Sequence, residues 1–97
     1  MLTIKADVFG GEAPIPINVF INNIKNLDDI KFARGASFDE SFNVGRGKYM
    51  ITVSGMNPSE GHTEISVTGN FTLGPVPNGN RNPSTQFYSE MFYLEIT

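Results

Sequence analysis

Apolar and polar side chains alternate with a period of two along most of this chain, most clearly in two stretches near its middle. From Lys48 to Gly55, Tyr49, Ile51 and Val53 fall on one side, with Lys48, Thr52 and Ser54 on the other. From Thr63 to Leu73, Ile65, Val67, Phe71 and Leu73 oppose Glu64, Ser66, Thr68, Asn70 and Thr72. Period-two patterning is the mark of an extended strand with one buried face. Met56-Asn57-Pro58-Ser59-Glu60-Gly61-His62 lies between the stretches and is rich in turn formers, so the sequence predicts an antiparallel hairpin. A hairpin cannot bury its apolar face alone, and the rest of the chain must supply a second layer.

Further strands follow from the same rule. Leu2, Ile4, Ala6 and Val8 alternate with Thr3, Lys5 and Asp7 until Gly10-Gly11 ends the run. Pro14 and Pro16 give the second segment an edge-like start, after which Ile15, Ile17, Val19 and Ile21 oppose Asn18 and Asn22. Polar residues from Asn22 to Asp29 predict a turn, and a short strand is expected from Ile30 to Arg34, before Gly35. Ile24, Leu27, Ile30 and the stem of Arg34 also fit a helical stripe, which leaves a short helix as the alternative there. Ala36, Phe38, Phe42 and Val44 predict a fourth strand, with Gly45-Arg46-Gly47 as the tight turn of a hairpin into Lys48. Gly74 to Thr85, with three prolines and three asparagines, reads as one long irregular segment. The final strand, Gln86 to Ile96, is apolar on both sides: Tyr88, Phe92, Leu94 and Ile96 on one, Phe87, Met91 and Tyr93 on the other. Such a strand is expected to be covered twice.

About seven short strands and no long helix predict an all-β chain, residues 1–97 forming a single antiparallel β-sandwich domain, with a small barrel as the alternative. The segment Phe42-Asn43-Val44-Gly45-Arg46-Gly47-Lys48-Tyr49-Met50-Ile51-Thr52-Val53-Ser54-Gly55 resembles the glycine, tyrosine and alternating-strand element of prealbumin-like sandwich domains (transthyretin and carboxypeptidase regulatory domains). That resemblance implies a sandwich that displays loops or binds another protein. An immunoglobulin-like sandwich is also open, although the core Trp and the Cys pair of antibody domains are missing.

Composition narrows the chemistry. Ninety-seven residues suffice to bury roughly two-thirds of the unfolded surface in one core. Charged residues make up only 18%, so the surface must rely on Asn, Ser, Thr and Gly. Net charge is −3 and the seven Lys and Arg are scattered, which argues against a nucleic-acid partner. No apolar run approaches the ~20 residues that span a bilayer, and no membrane partner is expected. The first residues lack the features of a secretory signal, so the expected location is the cytoplasm, with export by another route left open. The absence of Cys excludes disulfides and thiolate ligands.

Little in the sequence points to catalysis, and no enzyme activity, cofactor or metal is expected. His62 is the only histidine and sits in the predicted turn, and no serine lies in a Gly-x-Ser-x-Gly elbow. Gly45-Arg46-Gly47-Lys48 lacks both the leading glycine and the trailing Ser or Thr of a phosphate loop. Asp28-Asp29 and Asp39-Glu40 offer hard oxygen ligands without the spacing of a calcium loop. Asn70-Phe71-Thr72 matches a glycosylation acceptor, but also fits strand alternation that turns Asn and Thr outward.

Two functional classes remain. The first is a non-enzymatic protein acting by protein contact, as a structural, assembly or adaptor component with a protein partner or as a homo-oligomer. Its candidate surface is Phe87, Met91 and Tyr93, since aromatic and Met side chains are enriched where partners dock. The second is a carbohydrate- or small-ligand-binding module using the 74–85 loop, with Asn78, Asn80, Arg81 and Asn82 as its polar contacts.

Overall fold

Strands form here because β-branched and aromatic residues recur at every second position, and the computed structural model, which describes residues 1–24 and 29–97, shows where their faces go. Among the described residues there are nine strands and no helix. They are β1 (Leu2–Phe9), β2 (Ile17–Asn23), β3 (Ile30–Arg34), β4 (Phe38–Phe42), β5 (Gly47–Met56), β6 (His62–Gly69), β7 (Leu73–Val76), β8 (Asn80–Arg81) and β9 (Phe87–Ile96). All pair antiparallel in two sheets, one ordered β4-β1-β6-β8 and the other β3-β2-β5-β9-β7. The architecture is a β-sandwich.

The core lies between the sheets. Leu2, Ile4, Ala6, Ile65 and Val67 from the four-stranded sheet meet Ile17, Val19, Ile21, Tyr49, Ile51, Val53, Tyr88, Phe92 and Leu94 from the other. Each fully buried aliphatic or aromatic side chain contributes on the order of 2 kcal/mol through removal of apolar surface from water. Tyr49 reaches the sandwich's end, where its hydroxyl donates to the Gly45 carbonyl at 2.7 Å.

The central hairpin does not form. β5 pairs with β2 and β9, whereas β6 pairs with β1 and β8, so the segment between β5 and β6 is an arch from one sheet to the other. Asn57, buried in that arch, explains its shape. Its side-chain amide donates to the carbonyls of Pro83 at 3.0 Å and Thr85 at 2.7 Å, its Oδ1 accepts from the Thr63 hydroxyl at 2.6 Å, and its backbone N–H donates to Gln86. The arch is tied to the chain entering β9 instead of folding β6 back onto β5. Gly61 is required beside it, because a Cβ there would run into the Phe9 carbonyl and the Pro58 ring.

Other expectations change for related reasons. Gly45-Arg46-Gly47 is also a crossing, from β4 in one sheet to β5 in the other, and not a hairpin turn. β6 stops at Gly69, so Asn70 and Thr72 lie between strands and not in a strand alternation. The segment read as irregular contributes β7, which pairs with β9 through Leu73 and Val76, and β8, which pairs with β6. Both bonds preceding Pro75 and Pro77 are cis. Ile30–Arg34 is a strand, which removes the helical alternative over those residues; Lys25, Asn26, Leu27 and Asp28 lie outside the described residues.

Arg–Glu pairs bridge the two lateral openings of the sandwich. Between β3 and β4, Arg34 binds Glu40 bidentately, through Nε to Oε2 and through Nη2 to Oε1 at 2.7 Å, and its guanidinium lies 4.7 Å from the centre of the Phe32 ring. Phe32 in turn contacts Phe38 and Phe42 at ring-centre distances of 5.7 and 5.3 Å. Between β8 and β9, Arg81 donates to Glu90 at 2.9 Å.

Candidate protein-contact face

Antiparallel register places paired residues on the same side of a sheet, so the pairings give the make-up of each outer face. On the four-stranded sheet the outward rows are Ser41-Thr3-Thr68, Asp39-Lys5-Ser66, Asp7-Glu64 and Phe9-His62. All of these are polar except Phe9, whose ring stacks on His62 at 4.9 Å. His62 also lies 3.1 Å from Glu64.

The outer face of the five-stranded sheet has a different character. Its rows are Met56-Phe87, then Ala33-Asn18-Ser54-Ser89, then Lys31-Phe20-Thr52-Met91, then Asn22-Met50-Tyr93-Val76, then Lys48-Glu95-Leu73. Phe87 and Met91 are 64% and 55% exposed, and Leu73 and Val76 are exposed on β7 beside Glu95 and Tyr93. The final strand is therefore covered on one side only, by the core, and its second apolar row stands open. The expected double cover is absent because β9 belongs to an outer layer of a two-layer fold with nothing above it.

The face is shaped as well as apolar. Small side chains at Asn18, Ser54, Thr52 and Ala33 leave a hollow of about 340 Å³ walled by Phe20 and Lys31, whose ammonium sits 4.9 Å from the centre of the Phe20 ring. Next to the hollow, Met91 and Phe87 project from β9. Tyr93 is half-buried, and its hydroxyl donates to Glu95 at 3.0 Å. Loss of water around the ring, reinforced by that carboxylate, raises the Tyr93 pKa above the usual phenol value.

Of the residues singled out in the sequence, the structure brings Phe87, Met91 and Tyr93 together on this face. It also adds Phe20 and Met50, which fall on the polar side of their strands in a period-two reading, and Met56, which the sequence places in the turn and the structure places at the end of β5. A count of apolar residues on the outward positions of β2 and β5 is the signal that finds them.

Asn78, Asn80, Arg81 and Asn82 lie elsewhere, at the β8 margin of the four-stranded sheet. Arg81 is engaged by Glu90, and the Asn78 side chain accepts from the Asn80 backbone at 2.9 Å, capping a local turn. Asn80, Arg81 and Asn82 line a shallow depression of about 330 Å³ with Pro83, Ser84 and Thr85. Strand alternation sends Asp39 outward beside Lys5 and Glu40 inward to Arg34, so these neighbours do not converge on one point. Among the described residues no three His, Asp or Glu side chains gather closely enough to hold a metal ion, and no helix is long and apolar enough to cross a membrane.

The chain is thus an all-β sandwich with one largely polar outer face and one on which apolar and polar residues are mixed. No family model, curated protein or solved structure matches it.

Proposed function

We propose that this chain is a non-enzymatic structural or assembly component that acts by protein contact through the outer face of its five-stranded sheet. The observation that carries the reading is the contrast between the two outer faces of one small molecule. The outward rows of the four-stranded sheet hold Thr, Ser, Lys, Asp and Glu, with Phe9 and His62 at one end. On the five-stranded sheet the same kind of outward position holds Phe20, Met50, Met56, Phe87, Met91 and Tyr93. Exposed apolar side chains grouped on one face are the usual mark of a contact surface, and Met, Phe and Tyr are enriched in such surfaces; here Phe20, Met50, Met91 and Tyr93 stand on adjoining strands, and Met56 and Phe87 lie beyond the row Asn18-Ser54-Ser89.

A photo-crosslinking amino acid placed at Met91, and as a control at Ser66 on the polar face, tests the reading in cells that express the chain. Protein adducts are expected from position 91 and not from 66. No adduct at 91, or equal adducts at both positions, overturns it.

A further inference from the structure

We infer that the occupant of this face is a second copy of the same chain, lying sheet against sheet about a twofold axis that runs along the strands between β5 and β9. The inference rests on the protein-contact reading above and adds the partner to it.

The register makes the face self-complementary. A twofold axis along the strands keeps each row at its own level and, to within the twist of the sheets, lays β9 of one copy on β5 of the other. Each β9 side chain then meets, across the interface, the β5 residue beside which it already stands in its own chain. Phe87 comes onto Met56, Ser89 onto Ser54, Met91 onto Thr52 and Tyr93 onto Met50. At Phe87 and Tyr93 large side chains meet methionines, at Ser89 small polar side chains meet, and at Met91 a large side chain meets a small one. Met91, the exposed projection, arrives at Thr52, on the margin of the partner's hollow beside Phe20.

Charge agrees with the same axis. The end row pairs Lys48 with Glu95, so each Lys48 faces the Glu95 of the other copy, twice by symmetry. Aligned packing of two sheets is an ordinary geometry for sheet pairs. The axis sets β5 opposite β9 and β2 opposite β7 and leaves β3 outside the contact. At about 4.8 Å between strands and about 3.4 Å per residue, that overlap covers roughly 500 Å² of flat area. Ordinary specific interfaces bury roughly 800 Å² on each partner, counted over a corrugated surface, so this contact stands at the small end of the range.

Charge reversal in separate chains provides the test, read by light scattering coupled to gel filtration over a concentration series. The parent is expected at twice the chain mass at micromolar concentration. Glu95→Lys sets one ammonium group against another across the axis, and Lys48→Glu sets one carboxylate against another, so each variant alone should dissociate at least about tenfold more readily. Mixed in equal amounts, the two variants should recover the dimer, because both contacts across the axis become attractive while the pairs within each chain stay repulsive. Met91→Ser should weaken the dimer, while its melting curve matches the parent's when both are measured at a concentration low enough for the parent to be monomeric. A parent that is monomeric at hundreds of micromolar, or a mixture that does not recover, overturns the pairing. A monomeric parent whose position 91 still crosslinks to a different protein removes the second copy as occupant and leaves the contact reading standing; no crosslink removes both.

Discussion

Asn57 and Tyr88 are both buried and polar, and they bear opposite relations to their surroundings. Asn57 satisfies its amide and its carbonyl oxygen, holding Pro83, Thr85 and Thr63 at once. Asn57→Ala would leave two carbonyls and a buried hydroxyl without partners, a loss of about 2–4 kcal/mol. For a chain of this size that corresponds to a melting temperature lower by roughly 10–20 °C, measurable by calorimetry. The Tyr88 hydroxyl is buried beside Thr63 with no hydrogen bond of good geometry, and a Cβ on Gly55 would come within 2.7 Å of it. Burial raises the Tyr88 pKa, with Thr63 opposing the rise. A phenol held neutral in the fold contributes stability that is intact below its ordinary pKa of about 10 and is lost as pH climbs through the raised value, because the unfolded chain ionises first. Tyr88→Phe should therefore match or exceed the parent at neutral pH and resist alkali better. A clear loss of stability at neutral pH would show that the hydroxyl is well bonded after all.

At the level of strands, the difficulty of this sequence is that alternation is local and pairing is not. Tyr49, Ile51 and Val53, and likewise Ile65 and Val67, bury the faces that their spacing predicts. Whether β5 and β6 form a hairpin or an arch leaves those burial patterns unchanged, and the decision falls to Asn57, whose partners lie 26 and 28 residues away. β7 was hidden for a different reason. Prolines remove ladder donors, so Leu73 to Val76 pairs at its two ends only and does not read as a strand. Arg34 and Glu40 were equally opaque, since each looks like a surface charge until β3 and β4 face each other. There they act as inward-pointing charges on two edge strands, a device that discourages further strands from adding. Hydrogen bonding from Arg34 lowers the Glu40 pKa. The pair's contribution is therefore present above the ordinary carboxylate range and fades as pH falls through the depressed value. Urea denaturation of Arg34→Gln should show a less stable protein at neutral pH whose deficit shrinks under acid. A deficit independent of pH would remove the ion pair from the account.

Across the whole molecule, the layering was legible and the asymmetry was not. Among the described residues, fourteen buried apolar side chains from both sheets form one core, in keeping with a sandwich read from strand count alone. The candidate contact face could be half seen: Phe87, Met91 and Tyr93 stood out because a row of them opposes Phe92 and Leu94 on one strand. Phe20, Met50 and Met56 did not, because on its own side of the strand Phe20 stands between Asn18 and Asn22, Met50 between Lys48 and Thr52, and Met56 next after Ser54, and they join the others only when β2, β5 and β9 lie side by side.

The proline-bearing strand at one margin of the five-stranded sheet has a further effect. Pro75 and Pro77 carry no amide hydrogen, and β7 holds its neighbour through just two residue pairs. An incoming chain would find few donors there to extend the ladder, so lateral growth from that margin is disfavoured. Association confined to a broad flat side closes after one partner, which favours discrete particles over filaments at the high concentrations where edge-rich β proteins polymerise.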